Sequence, residues 1–241
     1  MCGIVGIAGT RECAPVILEA LKRLEYRGYD STGIATLDAS GEIDRRRAAG
    51  KIGNLAALLK EKPLSGHTGI GHTRWATHGK PTEKNAHPHA TKRVAVVHNG
   101  IIENFRELRE ELIAKGHTFE SETDTEVCAH LVDEYLSQGL TPLAAAQAAV
   151  KRLTGAYALA MIFKGEEGLL IGARMGSPLA VGYGETEGYM GSDAFALAPF
   201  TNRVAYLENG DVAMVRMSHV EIYDASDTKV VREIKVTSAS A

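Results

Sequence analysis

CGIVGI, residues 2–7, opens the chain and places a cysteine directly behind the initiator methionine. Removal of Met1 would give Cys2 a free α-amine beside its thiol. An α-amine titrates at roughly pH 7.7–8.0, so near neutral pH it can accept the proton of the neighbouring thiol. A cysteine at position 2 can also be an ordinary residue. The stretch therefore predicts a nucleophile that carries its own base, provided that the rest of the chain supplies a matching site.

Composition limits the classes of protein that this chain can belong to. Its 241 residues fit one large domain or two small ones, and the net charge of -3 offers no bulk attraction for nucleic acid or anionic lipid. Cys2, Cys13 and Cys128 are too few and too widely spaced for a disulfide framework, which predicts a reducing, cytoplasmic location. No basic leader and no apolar run of about 20 residues is present, so neither a signal peptide nor a membrane span is expected.

Hydrophobic periodicity predicts an α+β layered domain. Strands are expected at residues 4–8, 33–38, 68–72 and 94–98, and helices at 14–26, 51–60, 106–115, 124–137 and 142–153. After residue 157, short apolar runs alternate with turns, and Asn209-Gly210 has the signature of a hairpin. The elements do not alternate as in a parallel βα fold, and Gly3, Gly6 and Gly9 lack the spacing of a dinucleotide-binding loop.

Polar and reactive residues concentrate at 25–31, 71–79, 97–104 and 121–126. Arg74 offers a planar fork that fits a carboxylate, and the chain's only tryptophan, Trp75, follows it in a loop that could close over a ligand. A surface arginine packed on an aromatic ring is the alternative. Asn99-Gly100 is either a turn or a pair of oxyanion donors, and Asp124 either caps a helix or binds an ammonium group.

Six of the nine histidines lie between His67 and His98, so a metal site has to be considered. The segment contains neither a His-Glu-x-x-His nor a Cys-x-x-Cys spacing. We therefore predict that these histidines form hydrogen bonds in loops and bind no metal.

The segments LEYRGYDS (24–31), TRWATHG (73–79), NAHPH (85–89) and HNGIIEN (98–104), taken with Cys2, closely resemble one family. The chain resembles the glutamine amidotransferases of the N-terminal-nucleophile class, in particular the glucosamine-6-phosphate synthase branch. The likeness covers essentially the whole chain, so residues 1–241 are expected to form one glutaminase domain. The purine-pathway and asparagine synthetase relatives share the terminal Cys-Gly-Ile and an Arg-Gly segment.

The resemblance implies a four-layer αββα sandwich of the N-terminal-nucleophile hydrolase type. It also implies that Cys2 is the nucleophile, that Asn99 and Gly100 form the oxyanion hole, and that Arg27 orients the N-terminal residue.

Glutamine recognition is implied for a second group of residues. Arg74 would hold the α-carboxylate and Asp124 the α-ammonium, with Thr77 and His78 in the same loop and Trp75 on its closing part.

The implied reaction converts L-glutamine to L-glutamate and ammonia through a γ-glutamyl thioester, without a metal or organic cofactor. In the full-length family members, sugar-isomerase domains of the same polypeptide use the ammonia to make glucosamine 6-phosphate from fructose 6-phosphate. Those domains are absent from this chain, and oligomers are expected only at full length, with no nucleic-acid or membrane partner. Two alternatives stay open: another ammonia acceptor, as in the purine pathway, or a non-catalytic glutamine-binding module if Met1 is retained.

Overall fold

The computed structural model describes residues 2–27, 30–75 and 79–238, with Arg27 described by its backbone alone. Within these ranges the chain forms two antiparallel sheets that face one another, with helices on both outer faces. The predicted α+β, four-layer αββα sandwich is confirmed.

The elements of the described chain are unequally distributed, with most helices in the first two thirds and mostly short strands after it. The strands are β1 (Gly3–Ala8), β2 (Ser31–Leu37), β3 (Ile43–Ala49), β4 (Thr68–Arg74), β5 (His89–Ala90), β6 (Val94–Ile102), β7 (Gly155–Phe163), β8 (Leu169–Met175), β9 (Ala180–Tyr183), β10 (Gly188–Gly191), β11 (Arg203–Tyr206), β12 (Val212–Arg216), β13 (His219–Tyr223), β14 (Lys229–Val230) and β15 (Lys235–Val236). The helices are α1 (Cys13–Leu24), α2 (Ile52–Glu61), α3 (Phe105–Ala114), α4 (Asp124–Ser137), α5 (Pro142–Val150) and α6 (Ala194–Leu197).

Strand order brings the chain start into the middle of a sheet. In the described part, the first sheet runs β15-β11-β9-β10-β1-β4-β2-β3 and the second runs β14-β13-β12-β8-β7-β6-β5. Within the first sheet Gly3 pairs with Thr73, so the end of β4 lies beside the residue that precedes β1. This register places Cys2 next to Arg74 and Trp75.

Side-chain alternation along β1 builds two different cores, because successive residues of a strand point to opposite faces. Ile4 and Ala8 are buried between the two sheets, whereas Val5 and Ile7 pack on the outer side with Ile17 of α1. Helices α3, α4 and α5 cover the second sheet through a third core. Each fully buried aliphatic side chain contributes about 1.5–3 kcal/mol to this packing.

The predicted helices and strands are largely confirmed, with three corrections. Asn209-Gly210 forms a turn, but not a hairpin, since it connects β11 in one sheet to β12 in the other. Strand β3 (Ile43–Ala49) is not among the predicted strands. Helix α5 ends at Val150, earlier than the predicted residue 153.

Two further properties of the described residues concern the function classes considered above. No helix among them combines the length and apolarity that a membrane crossing requires. Cys13 and Cys128 are both buried in helices, while Cys2 is partly accessible.

Candidate active site

A cavity of about 380 Å³ lies at the end of the sandwich where β1, β4 and β6 meet the start of α4. A cavity of this size fits a small polar metabolite. It brings together most of the side chains that the sequence singled out. Its lining residues are Cys2, Arg74, Trp75, His87, His98, Asn99, Gly100, Ile101, Asp124, Thr125, Ser177, Pro178 and Ser192.

Cys2 is held by the residue that follows strand β4. The main-chain N–H of Trp75 donates a hydrogen bond to Cys2 Sγ at 3.2 Å, and Sγ lies 3.6 Å from the carbonyl oxygen of Trp75. Burial raises the pKa of the Cys2 thiol, while the Trp75 N–H and the positive charge of Arg74 oppose that rise. The thiol is therefore predominantly protonated at neutral pH, and nucleophilic chemistry here requires a base.

The side-chain amide of Asn99 touches the main chain of the candidate nucleophile. Asn99 Nδ2 donates to the carbonyl oxygen of Cys2 at 3.1 Å, and Asn99 Oδ1 lies 2.9 Å from Nε2 of His72. An amide nitrogen has two hydrogens, so one remains for a group in the cavity. This arrangement can stabilise negative charge that develops beside Cys2.

Gly100 is a position that only glycine occupies without strain. Its φ of +121° lies in the region that side chains disfavour, and a Cβ there would be 2.2 Å from the carbonyl oxygen of Ala156. The requirement comes from the close pairing of Gly100 with the facing strand β7.

Arg74 and Asp124 supply opposite charges to the same cavity. The guanidinium of Arg74 donates to the carbonyl oxygens of Gly79 and Lys80, each at 3.4 Å. Burial lowers the pKa of Arg74, and the nearby carboxylates of Asp30 and Asp124 partly offset this effect. Two opposite charges on one cavity wall can bind the two ends of a zwitterion.

Asp124 is not the helix cap that the sequence allowed. Thr123 caps α4, its side chain accepting the N–H of Glu126, and Asp124 is the first helical residue. One carboxylate oxygen of Asp124 accepts the main-chain N–H of Ile102 at 2.8 Å. That bond fixes the carboxylate at the cavity wall.

Three predicted residues cannot be placed. Thr77 and His78 lie outside the described residues, and so does the side chain of Arg27. Trp75 lines the cavity, and 51% of its surface is exposed.

The family assignment follows from comparison with known sequences. The family described as "Glutamine amidotransferase domain" matches residues 72–199, which include the cavity residues from Arg74 to Ser192. The chain belongs to this family.

Individual relatives of this amidotransferase domain agree with the assignment. It is 64% identical over 235 residues to a glutamine–fructose-6-phosphate aminotransferase [isomerizing] of Gluconobacter oxydans, covering 98% of this chain and 39% of that protein. A protein of the same name from Caulobacter vibrioides is 56% identical over 241 residues, covering 100% of this chain and 40% of that protein. The domain thus spans about two fifths of the length of these relatives.

Solved structures share its fold. A glutamine phosphoribosylpyrophosphate amidotransferase from B. subtilis, complexed with ADP and GMP, has a TM-score of 0.76 at 27% identity, covering 92% of this chain and 49% of that one. A glutamine aminotransferase class-II domain protein from Silicibacter pomeroyi has a TM-score of 0.62 at 17% identity, covering 93% and 99%, and this likeness concerns the fold alone. The sandwich is therefore of the N-terminal-nucleophile amidotransferase type.

The histidines of this amidotransferase domain form a buried network that sequence reasoning missed. His72, His89 and His98 lie in strands rather than loops, and the rings of His72 and His87 stack with centroids 4.2 Å apart. Thr125 connects His87 and His98 through its hydroxyl, at 3.2 and 2.8 Å. Only the strand positions of His72 and His98 could have indicated this, since strand residues at a sheet end are often buried.

The network has one consistent set of donors. His87 Nδ1 accepts the N–H of His98, so His87 Nε2 donates to Thr125, and Thr125 donates to His98 Nδ1. Burial lowers the pKa of His72 to about 3 and that of His87 well below its ordinary value, so both rings are neutral. Among the described residues, no group of three or more His, Cys, Asp or Glu side chains could hold a metal ion.

Proposed function

We propose that this domain hydrolyses the side-chain amide of L-glutamine to L-glutamate and ammonia, with Cys2 as the nucleophile. One observation carries the proposal: Cys2, the Asn99 amide, Arg74 and Asp124 line one cavity of a size that suits an amino acid. The family assignment independently supports glutamine as the substrate.

In the proposed first step, the thiol passes its proton to the α-amine that removal of Met1 exposes. The sulfur bonds to the amide carbon of glutamine, and the carbonyl electrons move onto oxygen. The oxyanion accepts hydrogen bonds from Asn99 Nδ2 and the Gly100 N–H. Both residues lie in β6, whose pairing with β7 holds the donors in position before the reaction. Collapse breaks the carbon–nitrogen bond, and the departing ammonia takes the proton from the amine.

The second step releases glutamate from the γ-glutamyl thioester. Water gives a proton to the amine and attacks the thioester carbon, and the same two donors hold the second oxyanion. The carbon–sulfur bond then breaks, and the sulfur recovers a proton. The raised pKa of Cys2 makes this return to the protonated thiol favourable.

Substrate recognition follows from charge. Arg74 binds the α-carboxylate of glutamine and Asp124 its α-ammonium, while Trp75, Thr77 and His78 belong to the loop that closes over the bound amino acid. Arg27 orients the N-terminal residue. The burial of Arg74 and the hydrogen bond from Ile102 to Asp124 support the charge pair, because both reduce the freedom of the groups before substrate arrives.

The ammonia is proposed to serve amino-sugar synthesis in the cytoplasm. Relatives at 62–64% identity are named glutamine–fructose-6-phosphate aminotransferase and extend well beyond the matched region. Sugar-isomerase domains of the same polypeptide would convert fructose 6-phosphate and ammonia to glucosamine 6-phosphate, with oligomers forming at full length. The identity to these relatives, 58–64% in several cases, favours this acceptor over that of the phosphoribosylpyrophosphate enzyme at 27%.

An assay of glutamate and ammonia release from glutamine tests the proposal, with Cys2→Ala as the inactive comparison. The intact mass of the protein must be measured on the same sample, since loss of Met1 is required for the base. Equal, stoichiometric release of both products is expected. A protein that lacks Met1, binds glutamine and releases neither product would be a binding module, and the proposal would be wrong.

A further inference from the structure

We propose that His72 is a positioning residue for this amide hydrolysis, because its imidazole fixes the orientation of the Asn99 carboxamide beside Cys2. The role rests on the proposed function, since Asn99 matters here only as an oxyanion donor. His72 does not line the cavity, so any effect on the reaction must pass through another side chain.

The orientation of the Asn99 amide follows from what its neighbours can do. The carbonyl oxygen of Cys2 can only accept, so the group 3.1 Å from it must be the amide nitrogen of Asn99. The amide oxygen then faces His72 Nε2 at 2.9 Å, and that nitrogen must donate. The Asn99 amide thus donates one hydrogen bond, to Cys2, and accepts another, from His72. Exchanging its nitrogen and oxygen by rotation would break both bonds.

The tautomer of His72 agrees with this assignment. Burial lowers its pKa to about 3, although the hydrogen bond to Asn99 opposes the shift, so the ring carries a single proton at neutral pH. Within the described part of the chain, Nδ1 of His72 has no hydrogen-bond partner. A proton on Nδ1 would leave Nε2 unable to donate to the Asn99 oxygen, whereas a proton on Nε2 satisfies that oxygen.

The imidazole cannot rotate away from Asn99. His72 is fully buried and lies in β4, where it pairs with Ile4 on one side and Gly33 on the other. Its ring stacks on that of His87, with an angle of 17° between the planes. Gly33 lies in β2, the neighbour of β4. A Cβ on Gly33 would lie 2.0 Å from the carbonyl oxygen of His87, so the main chain of His87 packs directly against β2.

Loss of the His72 donor would affect the oxyanion and leave the glutamine-binding charges in place. Without His72, only the bond to the Cys2 carbonyl oxygen holds the Asn99 amide, and the amide can turn its oxygen toward the cavity, where an oxyanion would be repelled. We expect kcat to fall by about 10- to 100-fold, which is less than the roughly 10²–10³-fold cost of removing a donor outright. The affinity for unreacted glutamine, whose side-chain amide is neutral, should change by less than about threefold.

The test uses the 241-residue protein with Met1 removed and compares His72→Leu, His72→Gln and His72→Asn. The amide nitrogen of glutamine can reach the position of Nε2, whereas the shorter asparagine cannot, so His72→Gln should retain most of the kcat. His72→Leu and His72→Asn should lose it at nearly unchanged KM. Thr73→Val is the matched control, because Thr73 is the next residue of the same strand, is fully buried, and its hydroxyl has no partner among the described residues.

A double-mutant cycle with Asn99→Ala separates positioning from general damage. If His72 acts through Asn99, adding His72→Asn to Asn99→Ala should lower kcat by less than about threefold. Independent, multiplicative losses would overturn the role, as would equal kcat in the glutamine and asparagine variants. If His72→Leu does not fold, as shown by its thermal unfolding curve, the glutamine and asparagine pair decides the question. A wild-type protein without hydrolysis would instead overturn the proposed function itself, and this role with it.

Discussion

The main-chain N–H of Trp75 donates a hydrogen bond to Cys2 Sγ at 3.2 Å. Trp75 therefore both donates a hydrogen bond to the proposed nucleophile and begins the candidate closing loop. Burial raises the pKa of the thiol, and this N–H is the first influence that opposes the rise. Any movement of the loop at Trp75 should therefore change the reactivity of Cys2.

A glutamine-like diazoketone should label Cys2 alone. Cys13 is buried, and burial raises the pKa of its thiol to about 12; burial also raises the pKa of the Cys128 thiol strongly. Neither thiol can supply appreciable thiolate at neutral pH. Peptide mass mapping after labelling gives the measurement. Modification of Cys13 or Cys128 with Cys2 untouched would contradict the assignment, and Cys2→Ala should abolish both labelling and hydrolysis while leaving thermal unfolding near wild type.

Arg74→Lys should raise KM for glutamine strongly. Lysine keeps the charge but loses the two-pronged donor, which corresponds to about 1.5–3 kcal/mol of charge-assisted hydrogen bonding. Asp124→Asn should act in the same direction, because it removes the charge yet can still accept the N–H of Ile102. Steady-state kinetics provide the test. If both variants keep the wild-type KM, the two ends of glutamine bind elsewhere.

Asn99→Ala should lower kcat by about 10²–10³-fold, or roughly 2.7–4 kcal/mol, with much less change in glutamine binding. The oxyanion exists only after attack, so its donor contributes to the transition state and not to ground-state binding. Comparing kcat with the affinity for unreacted glutamine measures the difference. A variant that mainly loses affinity, with kcat within a few-fold of wild type, would make Asn99 a substrate-positioning residue.

Gly100→Ala should destabilise the fold, with a loss of about 1–3 kcal/mol from the strained backbone and a further loss from steric overlap. The new Cβ would lie 2.2 Å from the carbonyl oxygen of Ala156. Gly116→Ala is the control, because Gly116 also has a positive φ of +95° but no atom within 4 Å of the position of a Cβ. Denaturant unfolding of both variants separates clash from strain. Equal destabilisation would show that Gly100 needs glycine for its backbone angle alone.

Glu126→Gln should lower the free energy of unfolding at neutral pH by about 1.5–3 kcal/mol. Burial would raise the pKa of Glu126, but hydrogen bonds from His130, Ser121 and the main-chain N–H of Glu120 lower it to about 2. A carboxylate whose folded pKa is depressed stabilises the protein above its unfolded pKa, near 4.5, and this contribution disappears as the pH falls towards 2. The difference in the free energy of unfolding between the two proteins should therefore shrink as the pH is lowered from 7 to 3. A constant difference across that range would mean that the loss comes from packing.

Much of the site could be predicted from local sequence. The segments around Cys2, Arg74, Asn99 and Asp124 each stand out because their side chains suit one chemical task, and all four residues line one cavity. The buried histidines could not be predicted in the same way. Nothing in the sequence distinguishes His72 from the other histidines. Its contact with Asn99 forms because β4 and β6, which belong to different sheets, face each other.

The sequence by itself determined the α+β class, most helix positions and the candidate nucleophile. Each of these can be recognised from a few neighbouring residues: hydrophobic periodicity, turn residues, or a cysteine at position 2. Tertiary structure decided which turn joins which strands: Asn209-Gly210 links two sheets, although its local signature is that of a hairpin. It also decided that Thr123, and not Asp124, caps α4, which leaves the Asp124 carboxylate to accept the N–H of Ile102. The connection between the sheets and the bond from Ile102 to Asp124 depend on contacts between residues far apart in the chain, where packing and hydrogen-bond satisfaction outweigh local preference.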